Sequence, residues 1–157
     1  MKHWSVWTDG SCPNNGRYGC MAGWAMYFGD NDDRNRSGGI YGTQTNNKAE
    51  LVAVKMAIQL ARENRVRCLT IHTDSQYVIN CLDKYISVWK QNGWNNANNR
   101  PVSNQRLIQY IDVLRRDFKY IEFKHVYGHQ GNHGNEMADK MARRAAESRR
   151  RAFLMRR

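Results

Sequence analysis

The sequence predicts an α/β fold: a five-stranded mixed sheet, three antiparallel strands followed by parallel ones, flanked by helices. Three observations carry that expectation. Up to Thr45 the chain holds three short strand-like runs joined by polar turns, which suits an antiparallel meander. From Ala49 the apolar period changes from that of a strand to that of a helix. Beyond it strand-like and helix-like segments alternate, and strand–helix–strand order implies parallel pairing through a right-handed crossover.

His3 to Asp9 alternate loosely and end in Asp9-Gly10-Ser11, and Pro13 to Gly19 then reads as a turn. Cys20 to Gly29 and Gly39 to Thr45 read as the second and third strands, with Asp30–Arg36 as the polar turn between them. Ala49, Val52, Ala53, Met56, Ala57 and Leu60 make a helical stripe, capped by Asn46 or Asn47. Cys68 to Thr73 is a short apolar strand, and Ser75 can cap the helix after it. A further helix is expected over Asn104 to Arg116, a fifth strand over Tyr120 to Tyr127, and a last helix from Glu136 to about Ser148. There is no internal repeat and no linker. Residues 1–148 therefore read as one domain, with 149–157 as a basic C-terminal tail.

The 157 residues carry 25 Lys and Arg against 14 Asp and Glu, a net charge of +11. Lys140 to Arg157 alone holds eight basic residues and one acid. A chain this basic attracts polyanions, nucleic acid first among them. Hydrophobic residues make up 41%, enough for a core, yet no apolar run approaches the roughly 18 residues of a membrane span. Cys12, Cys20, Cys68 and Cys81 show no C-x-x-C spacing, which speaks against a metal knuckle and a secreted disulfide framework. The strand-like pattern begins at His3 with no apolar leader before it, so a cytoplasmic protein is expected, nuclear if the source is eukaryotic. A monomer is the starting assumption.

Four acids stand out on that basic background. Asp9 and Asp74 end strand-like runs that can be neighbours, and Glu50 and Asp139 fall in the first turns of helix-like runs. Strand ends and helix starts near a topological switch are where open α/β sheets bind ligands. Carboxylates gathered there repel one another unless a cation joins them, and an oxygen-only donor set suits Mg²⁺ or Mn²⁺. Singly, Asp9 reads equally well as a turn residue, and Glu50 or Asp74 as a charge favoured by a helix dipole. As a set they point to a metal-dependent enzyme.

The acids lie in four motifs: T-D-G-S at Thr8–Ser11, T-N-N-x-A-E-L at Thr45–Leu51, T-D-S-Q-Y-V at Thr73–Val78, and G-H-x-G-x-x-G-N-E-x-A-D at Gly128–Asp139. In that order, and from Trp4 to about Ala146, the chain resembles type 1 ribonuclease H. The resemblance implies a ribonuclease H-like fold and an endonuclease that cuts the RNA strand of RNA/DNA hybrids, leaving 5′-phosphate and 3′-hydroxyl ends. It implies two Mg²⁺ ions, replaceable by Mn²⁺. Asp9 would bridge both, Glu50 and Asp74 would hold one, and Asp139 the other. His129 would assist proton transfer or product departure, tasks that suit a titratable side chain. His133 reads as a surface residue and His72, inside a strand, as structural. Transposases, integrases and junction resolvases set acids on related sheets and act on DNA, but lack this combination of motifs.

Recognising a hybrid requires sensing 2′-hydroxyls on one strand and a deoxy backbone on the other. The resemblance assigns this work to Asn15, Asn46, Asn47 and Gln76, and a phosphate pocket to Thr45 and Asn104. Thr43 stands where that pocket often has a cation, so a weaker clamp is expected. Residues 84–104 resemble the family's basic handle, with Trp89 and Trp94 available to pack on deoxyribose. Trp94 serves equally well to pack the handle onto the domain. Only Lys84, Lys90 and Arg100 are basic there, and the tail arginines (149–151, 156 and 157) are expected to supply the missing charge.

Overall fold

A computed structural model describes residues 2–156. Arg157, counted above among the tail arginines, lies outside the described residues. The elements are β1 (His3–Ser11), β2 (Gly23–Tyr27), β3 (Arg36–Gly39), α1 (Asn46–Glu63), β4 (Cys68–Thr73), α2 (Gln76–Ile79), α3 (Ile86–Asn92), α4 (Gln105–Arg115), β5 (Tyr120–His125) and α5 (His133–Met155). A π-helical stretch, Asn80–Tyr85, joins α2 to α3. The five strands lie in the order β3-β2-β1-β4-β5. β1 pairs antiparallel with β2, and β2 with β3, whereas β4 runs parallel to both β1 and β5. The mixed sheet expected from the sequence is the one observed.

Helices cover both faces of β1, and two glycines set how closely they approach. A Cβ on Gly10 would collide with the backbone of Ala49 and Glu50, so only glycine lets β1 touch the start of α1. A Cβ on Gly134 would collide with the Trp7 indole, so α5 starts pressed against β1 as well. Positions 7 and 10 differ in parity and face opposite sides of the strand. Between α1 and the sheet, Val6, Leu51, Val54, Ile58, Leu69 and Ile71 form the core with Ile108 and Ile111 of α4. The α1 stripe is buried as expected at Ala49, Val52, Ala53, Ala57 and Leu60, while Met56 is only partly covered.

Several boundaries differ from the sequence expectation. The third strand is Arg36–Gly39, not Gly39 to Thr45. Residues 40–45 turn instead: Gly42 has φ +76°, and the Gln44 side-chain amide donates to the carbonyls of Ile40 and Gly42 at 2.9 and 3.1 Å. The cap of α1 is Thr45, whose hydroxyl accepts from the Lys48 N–H at 3.2 Å, rather than Asn46 or Asn47. Glu50 is accordingly the fifth residue of α1, just past its first turn. α4 starts one residue later than expected, with Asn104 in its cap position. α5 begins at His133, capped by Asn132, so Asp139 lies in its second turn, and the helix continues through the arginine-rich segment to Met155. Among the described residues no cysteine forms a disulfide. Among the described residues no helix is long and apolar enough to cross a membrane.

Candidate active site

The site forms where β1 and β4 separate. Their parallel pairing ends at Trp7 opposite His72, while β1 continues against β2 with Asp9 opposite Ala25. Asp9 stands just beyond that parting point, and Asp74 follows the last residue of β4. The tight contact at Gly10 brings Glu50 of α1 to the same place. Ligand oxygens of Asp9, Glu50 and Asp74 all lie within 4.8 Å of one another.

The electrostatics of this trio are unfavourable without a cation. Asp9 is 3% exposed and Glu50 8%. Burial first, and then the neighbouring Glu50, raise the Asp9 carboxyl far above the usual carboxylate range. Burial also raises Glu50, partly offset by hydrogen bonds from Asp9 and from the Gly10 N–H. Asp74 is raised by burial and by Asp139, against hydrogen bonds from Asp9 and Asn135. Glu50 Oε2 is buried with no hydrogen-bond partner among the described residues. A buried, unpartnered carboxylate oxygen beside two further carboxylates fits a hard divalent cation, which takes oxygen donors and cancels their repulsion.

Asp139 lies across a cleft of about 290 Å³ lined also by Asp74, His129, Asn135 and Arg143. It is outside the close trio, and its Oδ2 meets Arg143 Nε at 3.1 Å, one helical turn on. That contact engages Oδ2, one of the two oxygens that Asp139 can offer a cation. His129 sits at the cleft mouth with φ +61°, a left-handed conformation that histidine adopts more readily than most residues. His133 points elsewhere and meets Asp30 Oδ1 at 2.9 Å. His72 stacks on Trp7, ring centroids 4.5 Å apart, in the structural role its strand position suggests.

A second groove, about 500 Å³, opens beside the helix starts. Asn15, Thr45, Asn46, Asn47 and Asn104 line it, together with Thr43, Tyr77 and Ser103. Asn15 Oδ1 accepts from the Asn46 N–H at 3.0 Å, and Asn104 Nδ2 donates to the Tyr77 hydroxyl at 3.1 Å, so the amides are held in place. Gln76 is exposed at the start of α2 and donates to Asn80 Oδ1 at 3.0 Å. Trp89 and Trp94 stand with ring centroids 5.8 Å apart and pack partly against the core. Lys90 is bound to Asp112 at 2.6 Å, a carboxylate it shares with Arg115 and Arg116, so one of the three handle cations is tied to the protein.

Sequence reasoning passed over Asn135 and Arg143. Asn135 is 3% exposed and hydrogen-bonds the Asp74 carboxylate. Its signal lay in the fourth motif, Gly128–Asp139, where Asn135 was given no role of its own. Arg143 is four residues after Asp139, a spacing that brings helical side chains together.

The chain matches the family model described as RNase H over residues 1–147. It is 42% identical to Ribonuclease H of Schizosaccharomyces pombe over 142 residues, 90% of this chain and 52% of that protein. It is 37% identical to Ribonuclease H of Ruthia magnifica, over 90% of this chain and 94% of that one. A crystal structure of LC9-RNase H1, described as a type 1 RNase H with the type 2 active-site motif, superposes with a TM-score of 0.73 and 26% identity, covering 95% of this chain and 75% of that chain. The chain spans about half the length of curated relatives such as the Schizosaccharomyces pombe protein. With the family match over nearly its whole length, the mixed sheet and the acid trio at its parting strands, this chain belongs to the ribonuclease H family.

Proposed function

We propose that this protein hydrolyses the RNA strand of RNA/DNA hybrids with two divalent cations, Mg²⁺ or in its place Mn²⁺. The observation that carries this reading is the buried trio of Asp9, Glu50 and Asp74, with its unpartnered Glu50 oxygen. Asp9, Glu50 and Asp74 would hold one cation, and Asp9 with Asp139 would hold the other. When bound, divalent cations neutralise the charge that develops as water displaces the 3′ oxygen in line at phosphorus. Asn135 holds the Asp74 carboxylate in register for that task. His129, exposed at the cleft mouth, moves a proton or eases product departure.

The neutral groove suits a duplex whose strands differ in their sugars. Asn15, Asn46, Asn47 and Gln76 present amides that hydrogen-bond 2′-hydroxyls and minor-groove edges. Thr45 and Asn104 take a phosphate of the deoxy strand, while Trp89 and Trp94 offer faces to deoxyribose. The protein works as a monomer in the cytoplasm on this reading.

Attack by water breaks the P–O3′ bond, leaves the incoming oxygen on a 5′-phosphate and returns a proton to a 3′-hydroxyl. Fragments from a labelled RNA strand in a hybrid should accept kinase label only after phosphatase treatment, and their partners should prime a polymerase. Ends carrying a 2′,3′-cyclic phosphate would show attack by the RNA's own 2′-hydroxyl and contradict the reading.

A further inference from the structure

The groove assigned to the duplex carries no charge of its own, since every side chain lining it is neutral. A phosphodiester held there needs cations close by. Some of the protein's cations are tied to acids: Arg34 to Asp32, Arg62 to Asp117, Lys90 to Asp112 and Arg143 to Asp139. Two that border the groove's own loop are not. Lys48, in the first turn of α1, donates from Nζ to the Tyr41 carbonyl. Arg149, on α5, donates to the Ile40 carbonyl at 3.2 Å, and its guanidinium lies 5.7 Å from the Tyr41 ring centroid.

These contacts orient the two charges without cancelling them. A carbonyl uses one of three ammonium donors or one of five guanidinium donors, and neither side chain has an ion pair among the described residues. The fold makes room for the arrangement. A Cβ on Gly39 would sit 2.7 Å from Arg149 Cδ, so a larger residue at position 39 would push the arginine stem aside from where it crosses the sheet edge. The Tyr41 ring is 85% exposed. It borders a cavity of about 500 Å³ that Arg149 and Arg156 also line, and Gly42 alone separates it from Thr43 in the neutral groove.

We propose that Lys48, Arg149 and the open face of Tyr41 form a second backbone-binding subsite, continuous with the neutral groove, for the deoxy-strand phosphodiester flanking the cleavage position. This rests on the hybrid-cleavage reading. The ring packs on a sugar while the cations meet successive phosphates, so the charge that the groove lacks comes from the loop that borders it. The arginine-rich end of the chain then acts through one helix face, that of Arg149 and Arg156, and not as a loose basic tail.

The test is hybrid binding by the cleavage-deficient Asp9→Asn chain in Mg²⁺, followed by anisotropy over a salt series. Each neutralised phosphate contributes about 0.9 to the slope of log K against log salt. Lys48→Gln/Arg149→Gln should therefore flatten the slope by about two. Arg149→Lys, which keeps the charge, should leave it within about half a unit of the parent. Tyr41→Ala should weaken binding severalfold at an unchanged slope. Arg144→Gln/Arg151→Gln removes the same charge from exposed positions elsewhere on α5 and should not alter the slope. Melting curves for each variant separate loss of contact from loss of fold. An unchanged slope for Lys48→Gln/Arg149→Gln, or an equal loss in the Arg144/Arg151 pair, would overturn the subsite and leave the cleavage reading standing. Failure of the parent to bind a hybrid at all would remove both.

Discussion

Asp9→Asn is expected to reduce cleavage by about a thousandfold or more while raising the melting temperature of the metal-free protein by roughly 3–10 °C. The two effects share one cause. Asp9 is 3% exposed, and burial together with Glu50 opposes its ionisation. In the absence of a cation the folded state must keep Asp9 protonated, which costs stability at neutral pH, and an amide of the same shape needs no proton while keeping the packing. A cation would be held by the ionised carboxylate, and an amide would be a far weaker ligand in its place. Turnover in Mg²⁺ and melting in EDTA measure the two halves separately. Near-normal turnover would remove Asp9 from the cation site, and a lowered melting temperature would mean that its charge is compensated by some other group.

The second large effect is a linkage between pH and metal. The metal-free protein is expected to lose stability through this site as pH rises, and Mg²⁺ to restore it. The Asp9 carboxyl is raised from 3.8, by burial first and by Glu50 next. Between that ordinary value and the raised one, the folded state keeps a proton that the unfolded chain has released. Stability then falls as pH rises, by at most about 1.4 kcal/mol per pH unit for one proton. Cation binding requires the ionised carboxylates, so it strengthens over the same interval. At a concentration about a hundred times its Kd, Mg²⁺ adds about 2.7 kcal/mol, or roughly 5–11 °C in a chain of this size. Asp32 and Asp112, whose pKa values are lowered mainly through their Arg and Lys partners, act in the opposite direction and lose their contribution as pH falls. They lie outside the cation site, so the difference between Mg²⁺ and EDTA isolates it. Melting in both, at about pH 5.5 and about pH 8, should show a larger Mg²⁺ increment at the higher pH. An increment that is flat, or larger in acid, would contradict the electrostatic account of the trio.

How much of this could be read from the sequence varies by element. β1, β4 and β5 are apolar runs that end in recognisable polar residues, and they lie close to where the pattern puts them. β3 was displaced because Arg36 reads as the end of a polar turn and Ser37 and Gly38 carry no strand signal. Its strand character comes from pairing with β2, where Gly38 lies opposite Trp24 and leaves space for the indole. Of the residues that read as strand, Gly39 to Thr45, all after Gly39 are held as a turn by the Gln44 side chain, which no local pattern announces. The last helix outran its apolar stripe because beyond Ala146 it packs by other means: Arg149 on the Ile40 carbonyl and Phe153 against Gly19 and Tyr18.

The site was legible to the extent that each residue sat in a motif of its own. Asp9, Glu50 and Asp74 meet at one place because Gly10, read only as one letter of the T-D-G-S motif, allows α1 to touch β1. The pairing of Lys90 with Asp112 joins residues distant in sequence and left no local trace. The position of Arg149 likewise depends on the sheet edge, where Gly39 leaves room for its stem.

The central claim, metal-dependent cutting of RNA paired to DNA, is tested most directly by one labelled sequence offered as RNA/DNA hybrid, RNA duplex and DNA duplex, each in Mg²⁺ and in EDTA. The expected result is cleavage of the hybrid's RNA strand alone, in Mg²⁺ alone. Binding without cutting in either Mg²⁺ or Mn²⁺, or cutting of the DNA duplex, would contradict it.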